Sequence, residues 1–310
     1  MRASLSLLIV AAVGCSSANR SGFGTDPDSG SPDINTTPDS GGTGFGDSGG
    51  GSGPTGGCTD AAKLVYVVSD IGDLWSFDPG ALKFAKIGAL DCQTASHPNS
   101  MAVSRDATAY VNMADGSLFK VDTTNAHCTA TSYAVDQQNL IIKGMGFSSD
   151  TSGGTSETLY TCADDELAID PFHPGAGLYK ITLPGLKLQK VGNYGGLLNG
   201  AECELTGNGD ARLFADFALE TPPKLAELDK ATGKAGTPTS LSSVPSNINQ
   251  FAFSFWGGDF WFYTDKSTGS SKVTRYKYAT DKSFSTVVPS TGMSIVGAGV
   301  STCAPLQPPN

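Results

Sequence analysis

The residues best suited to chemistry are two glutamates, Glu202 and Glu204, in the stretch AECELTGNGD from Ala201 to Asp210. Side chains two positions apart share one face of a β-strand, so the pair could bind a cation or take part in acid–base catalysis. Hydrolysis of a glycosidic bond needs two carboxyl groups about 5–10 Å apart on opposite sides of that bond. Two glutamates on one face of one strand do not flank a substrate, and the pair alone argues against a glycosidase.

Two groups of acidic residues are candidate calcium sites. Ca²⁺ takes several oxygen ligands, which Glu202, Glu204 and Asp216 could supply together with main-chain carbonyls. The second group lies in the insertion CADDELAIDPFHPG, which lacks EF-hand spacing, and comprises Asp164, Asp165, Glu166 and Asp170. The alternative for the first group is that its carboxylates are hydrated in the channel. The alternative for the second group is a solvated loop without calcium. The sequence has no GxSxG elbow, Walker loop or Cys/His cluster, so we expect no cofactor other than calcium.

A repeat of about 50 residues predicts the elements that position these side chains. Each of five units opens with an apolar strand whose second residue is aromatic, followed by a polar turn and another strand. The aromatic residues are Tyr66, Tyr110, Tyr160, Phe214 and Trp261. A second kind of strand, the leading strand, precedes four of the five units and occurs once more after the last unit. These leading strands are SMAVSRD, GMGFSSD, ECELTGNGD, QFAFSFWGGD and GAGVSTC.

The leading strands are displaced by one step relative to the five units. This displacement predicts an all-β fold, a β-propeller of five four-stranded blades. A chain that starts on the second strand of a blade and ends with a spare first strand can pair its two ends, which closes the ring and removes exposed sheet edges. The C-terminal strand would therefore complete the first blade. Six blades are possible if one is degenerate, and an open sandwich or barrel is the other alternative.

Alignment of the leading strands places the glutamates at the propeller axis. Glu204 aligns with small residues in the other blades, namely Ala102, Gly146, Ala252 and Gly299. The first strand of each blade lies nearest the axis, where converging chains leave room for small side chains only. We therefore expect Glu202 and Glu204 to point into the central channel, with Gln250, which aligns with Glu202, and Asp216 as further channel candidates.

The N-terminal region predicts export. Arg2 and the apolar stretch from Leu7 to Gly14 form a signal peptide, residues 1–14, too short for a membrane span. The motif AAVGC predicts lipidation of Cys15, and a secreted protein cut nearby is the alternative. Residues 15–57 comprise this cysteine and a disordered Gly/Ser/Asp/Pro tether with a reach of roughly 35 Å. Residues 58–310 form the propeller domain.

Six cysteines remain once Cys15 is lipidated, and an even number in an exported chain suggests three disulfides. Six cysteines allow fifteen pairings. Ring closure favours Cys58–Cys303, because both residues would belong to the composite blade. Cys162 and Cys203 fall on strands of successive blades, which leaves Cys92–Cys128 as the third pair.

Several of these segments resemble a known group of proteins. The AAVGC start, the DPDSG-type tether and the motifs AECELTGNGD, FAFSFWGGDFWFYT and GAGVSTCAP are similar to the uncharacterised propeller lipoproteins common in myxobacteria. The resemblance covers the whole chain and implies a propeller fold and a surface location. It brings no catalytic residues with it.

Charge and repeat architecture together define the expected function. A net charge of −10 argues against nucleic acid and against direct adhesion to anionic lipid, so membrane contact would be through the lipid anchor only. We expect a monomeric lipoprotein of the cell envelope, on the outer membrane or cell surface, that acts as a non-catalytic binding or scaffold module for a protein, peptide or glycan. A glycoside hydrolase or other hydrolase using the channel is the alternative.

Overall fold

The computed structural model describes residues 58–135, 137–140, 143–163 and 177–308. Within these ranges the chain forms twenty strands and three short 3₁₀ turns, Ala61–Lys63, Gln137–Asn139 and Gly196–Leu198. No helix in the described ranges has the length and apolar character that a membrane crossing requires. The predictions for Cys15 and for Asp164, Asp165, Glu166 and Asp170 lie outside the described residues.

The strands follow one another at short intervals along the chain. In order they are β1 (Val65–Ser69), β2 (Asp73–Asp78), β3 (Lys83–Ala89), β4 (Pro98–Val103), β5 (Thr108–Met113), β6 (Leu118–Asp122), β7 (Cys128–Ala130), β8 (Lys143–Ser149), β9 (Glu157–Ala163), β10 (Gly177–Thr182), β11 (Lys187–Gly192), β12 (Glu204–Gly207), β13 (Leu213–Phe217), β14 (Lys224–Glu227), β15 (Thr239–Ser240), β16 (Gln250–Trp256), β17 (Asp259–Asp265), β18 (Lys272–Tyr276), β19 (Phe284–Val288) and β20 (Ile295–Val300).

The strands form five four-stranded antiparallel sheets, which are the five blades of a β-propeller. Four blades are consecutive runs, β4–β7, β8–β11, β12–β15 and β16–β19, and the fifth combines β20 with β1–β3. In the composite blade β20 pairs with β1, with Val300 opposite Val65 and Gly297 opposite Val68. The predicted five-bladed fold, closed by the C-terminal strand, is confirmed.

The innermost strands β4, β8, β12, β16 and β20 approach one another too closely for most side chains. A Cβ on Gly146 would lie 2.8 Å from the carbonyl oxygen of Leu205, and one on Gly299 would lie 2.7 Å from Cγ2 of Val103. Small residues at these positions therefore allow the blades to converge on the axis, as the sequence alignment predicts.

Apolar side chains fill the space between neighbouring blades. Between the last blade and the composite blade, the ring of Phe77 meets those of Trp261 and Tyr263 edge-on, with centroids 5.7 and 6.1 Å apart. All three side chains are buried. The long aromatic run around β16 and β17 thus forms core between blades.

Three disulfides join the cysteines of the described chain: Cys58–Cys303, Cys92–Cys128 and Cys162–Cys203, with Cα–Cα distances of 5.7, 4.8 and 5.9 Å. These are the three pairs predicted from the sequence. Cys58 precedes β1 and Cys303 follows β20, so their bond closes the composite blade.

The two ends of the channel carry different residues. The inner strands all begin at one end, where Asn99, Gly144, Glu204, Gln250 and Val296 surround one cavity. We call this end the mouth face. It includes the loops that lead into the inner strands and the loops that join the second and third strands of each blade. The opposite end, where the inner strands finish and Cys58 bonds Cys303, is the closure face.

Candidate functional site

A cavity of about 290 Å³ opens at the mouth face of the channel. Its polar lining comprises Asn99, Glu202, Glu204, Asn249 and Gln250, and its wall also includes Phe251 and the Cys162–Cys203 disulfide. Among the described residues that line it there is no lysine, arginine or histidine. We call this cavity the mouth pocket.

Glu204 is the least exposed polar residue of the mouth pocket, with only 5% of its surface exposed. Its Oε2 accepts a hydrogen bond of 2.9 Å from Oγ of Ser100, on β4, two blades away. The same Oγ accepts a hydrogen bond of 3.1 Å from the backbone N–H of Met145, on β8. Glu204 therefore connects three inner strands by hydrogen bonds.

Burial controls the charge of Glu204. It raises the pKa of the carboxyl well above its usual value, and the nearby negative charge of Glu202 raises this pKa further, while the hydrogen bond from Ser100 opposes the shift. Burial therefore favours the protonated form of Glu204 more than it would for an exposed glutamate. The hydrogen bond from Ser100 gives the carboxyl group a structural role.

Asp216 lies on β13 directly opposite Glu204 in the strand ladder, one strand further from the axis. Only 1% of its surface is exposed, and neither carboxyl oxygen has a hydrogen-bond partner among the described residues. Burial raises the pKa of Asp216 to about 8. Two adjacent strands of one blade thus each bury a carboxyl group whose pKa is raised.

Glu202 lies just before β12, so the predicted strand position of this residue is wrong. The ladder of β12 with β13 begins at Glu204, which lies opposite Asp216, and β13 ends one residue later at Phe217, so the ladder does not extend to Glu202. Glu202 is partly exposed on the wall of the mouth pocket. Gln250, the first residue of β16 and a channel candidate from the sequence, lines the same pocket.

The described residues bear in part on the calcium predictions. Among them, no group of three or more His, Cys, Asp and Glu side chains is arranged to hold a metal ion. Calcium binding at Glu202, Glu204 and Asp216, or at the acidic insertion outside the described ranges, stays a prediction.

Sequence reasoning missed Ser100, Asn99 and Asn249. Asn99 and Asn249 stand at the starts of inner strands, where the alignment already contained Glu202 and Gln250. Polar residues recurring at that position were the available signal for a polar channel mouth. No comparable signal pairs Ser100 with Glu204, because the contact crosses the channel.

A third carboxyl group of interest, that of the partly buried Glu157, lies at the closure face. Glu157 accepts hydrogen bonds from the backbone N–H of Arg105, at 2.6 Å, and from Oγ1 of Thr302, at 2.7 Å. Burial raises its pKa in spite of these hydrogen bonds and of the Arg105 charge. The contacts join residues of three blades, so we assign Glu157 a structural role in ring closure.

Comparison with known proteins gives structural likeness only. No protein-family model matches the chain, and no curated protein matches it. The solved structures that resemble it include three of low sequence identity. A catalytically inactive variant of virginiamycin B lyase from Staphylococcus aureus, with quinupristin, is 13% identical over 74% of this chain and 71% of that chain, with a TM-score of 0.40.

The other two structures are similarly distant. Dihydro-heme d1 dehydrogenase NirN in complex with DHE is 16% identical over 69% of this chain and 42% of that chain, with a TM-score of 0.33. A protein of unknown function from Bacteroides caccae is 9% identical over 76% of this chain and 97% of that chain, with a TM-score of 0.40.

Proposed function

We propose that this protein is a lipoprotein, anchored through Cys15 and displayed on the outer membrane or cell surface, whose propeller is a non-catalytic binding module. Its ligand, a protein, peptide or glycan, engages the mouth face. The β-propeller fold suggests a binding or scaffold role, and the mouth pocket supports the choice of the mouth face as the binding surface.

The observation that carries the proposal is the polar lining of the mouth pocket. The carboxamides of Asn99, Asn249 and Gln250 each offer donors and an acceptor, and Glu202 adds a carboxylate. Inner strands packed against one another hold several of these groups in place. A preformed polar cavity at one end of a rigid channel suits recognition of a polar ligand group.

The same geometry weighs against the hydrolase alternative. Glu202 and Glu204 are the carboxyl groups of the described pocket lining, and they stand two residues apart in one blade. Hydrolysis of a glycosidic bond requires carboxyl groups on opposite sides of the bond. The carboxyl group of Glu204 also accepts a hydrogen bond from the hydroxyl of Ser100.

The disulfides and the chain direction support surface display. Disulfides are formed in oxidising compartments outside the cytosol. The tether predicted for residues 16–57 joins the propeller at Cys58, on the closure face. The mouth pocket lies at the other end of the channel.

A test of the binding role uses the purified full chain on glycan and peptide arrays. Gln250→Ala should weaken binding to the ligands retained by the wild type, and Gln189→Ala, on the exposed outer strand β11, serves as the matched control. Turnover of chromogenic glycosides that disappears in Glu204→Gln would replace the binding role with catalysis. Absence of any retained ligand would also count against it.

Lipid anchoring is tested separately in cells. Metabolic labelling with a clickable palmitate analogue should mark the wild type, and Cys15→Ser should abolish both labelling and membrane association. A soluble, unlabelled wild-type protein would contradict the anchor.

A further inference from the structure

We infer that the mouth pocket receives a lysine or arginine side chain of a protein partner, whose neighbouring apolar residues pack on exposed leucines of the same blade. This inference rests on the proposed binding function and names the chemistry of its ligand.

The charge and polarity of the pocket favour a basic group. Glu202 contributes a carboxylate to its lining, and no lysine, arginine or histidine is among the described lining residues. Ammonium and guanidinium groups donate hydrogen bonds only, and the carboxylate of Glu202 and the amide oxygens of Asn249 and Gln250 are acceptors. The pocket therefore matches a cationic donor in charge and in hydrogen-bonding capacity.

Two exposed leucines lie on the mouth face of the blade that carries Glu204. Leu197 is 98% exposed and stands five residues before Glu202, which limits their Cα separation to about 18 Å. Leu219 is 54% exposed and follows β13, three residues after Asp216, the ladder partner of Glu204. Apolar side chains exposed on the same face as a polar pocket offer contact area to a protein that binds in that pocket.

The loop that presents Leu197 is anchored on both sides. The hydroxyl of Tyr194 donates a hydrogen bond of 2.9 Å to the carbonyl oxygen of Gly177, and its ring lies 5.1 Å from that of Phe217. Leu198 is buried, and Cys203 is bonded to Cys162. An anchored loop loses little conformational entropy on binding, so Leu197 is preorganised to contact a partner.

The combination of groups favours a protein over a glycan. Sugars bind through hydroxyl groups and aromatic stacking, and exposed aliphatic leucines contribute little to either. A protein segment can offer a basic side chain for the pocket together with apolar neighbours for Leu197 and Leu219.

The experiment compares arrayed octapeptides that differ at one central position. The position holds arginine, lysine, citrulline or acetyl-lysine, between randomised apolar residues, and the probe is the full-length protein. We expect retention of arginine and lysine peptides, with affinity at least roughly tenfold lower for the neutral analogues. Glu202→Gln should reduce the preference for charge, and Leu197→Ser should weaken binding of the same peptides severalfold.

Leu82→Ser is the matched control, because Leu82 is also exposed but lies in a turn on the closure face, and it should bind as the wild type does. Thermal melts establish that each variant is folded. Equal binding of arginine and citrulline peptides, or binding of glycans unaffected by Leu197→Ser, would overturn the inference and leave the binding function intact. Retention of neither peptide nor glycan would overturn both.

Discussion

The hydroxyl of Ser100 donates a 2.9 Å hydrogen bond to Oε2 of Glu204, although 104 residues separate them in the chain. The bond crosses the channel from the blade β4–β7 to the blade β12–β15. It explains why Glu204 occupies a position that holds alanine or glycine in the other four blades. One long side chain reaches across the axis, and small residues around it leave the space.

We predict that Glu204 contributes through its hydrogen bond and not through charge. Glu204→Gln retains an oxygen that can accept from Ser100, so the free energy of unfolding should change by less than about 1 kcal/mol at pH 7. Glu204→Ala leaves the buried hydroxyl of Ser100 without this acceptor and should cost about 1–3 kcal/mol. Urea unfolding measures both. Equal losses in the two variants would contradict a hydrogen-bonding role.

We predict that stability falls as pH rises from about 4 to about 8 because of Asp216. Its pKa is about 8 in the folded protein against a usual value of 3.8, so the folded state binds more protons in this window. The free energy of unfolding then decreases by up to about 1.4 kcal/mol per pH unit for this group. Glu204 and Glu157, whose pKa values are also raised, act in the same direction.

Asp216→Asn should flatten this slope in denaturant titrations between pH 5 and 8. Asp281→Asn is the control, because hydrogen bonds from Ser283 lower the pKa of exposed Asp281. The contribution of Asp281 to stability is therefore lost only below the pH range of the titration. An unchanged slope in Asp216→Asn would mean that Asp216 does not bind the proton.

We predict that Gly146→Ala destabilises the propeller by about 1–3 kcal/mol. The added Cβ would lie 2.8 Å from the carbonyl oxygen of Leu205, and backbone on the neighbouring inner strand cannot move away without shifting a blade. Gly185→Ala is the matched control, because the nearest atom to its Cβ would be Oγ1 of Thr182 at 3.6 Å, in an exposed turn. Similar melting temperatures for the two variants would show that the inner strands are not tightly packed.

We predict that loss of the Cys58–Cys303 bond costs more than loss of Cys92–Cys128. The two bonds close loops with sequence separations of 245 and 36 residues. The loop-entropy relation gives a difference of about 1.7 kcal/mol between them. Double serine variants of each pair, compared by urea unfolding, test this order. A larger loss for the Cys92–Cys128 pair would show that strain or unfolded-state structure outweighs loop entropy.

The fold could be predicted because its information is repeated along the chain. Five leading strands and five units, displaced by one step, specify closure of β20 on β1, and closure in turn brings Cys58 near Cys303. Channel positions for Glu204 and Gln250 followed from the same alignment. Repetition averages out the ambiguity of any single strand.

The details of the site depend on contacts that no repeat encodes. The alternation of ECEL extends the predicted strand to Glu202, whereas the end of β13 at Phe217 limits β12. Asp216 has no hydrogen-bond partner among the described residues. This depends on the side chains that the neighbouring strands place around it. Ser100 meets Glu204 only because β4 and β12 face one another across the axis.

The Cys58–Cys303 bond also determines how the propeller carries mechanical load. Cys58 precedes the start of β1 and Cys303 follows the end of β20, and these two strand ends pair as Val65 and Val300. A force applied to the chain at Cys58 is therefore shared between β1 and β20 and acts on the same end of both strands. Neighbours drawn together do not slide past each other, so a force applied at Cys58 would not peel β1 from its sheet.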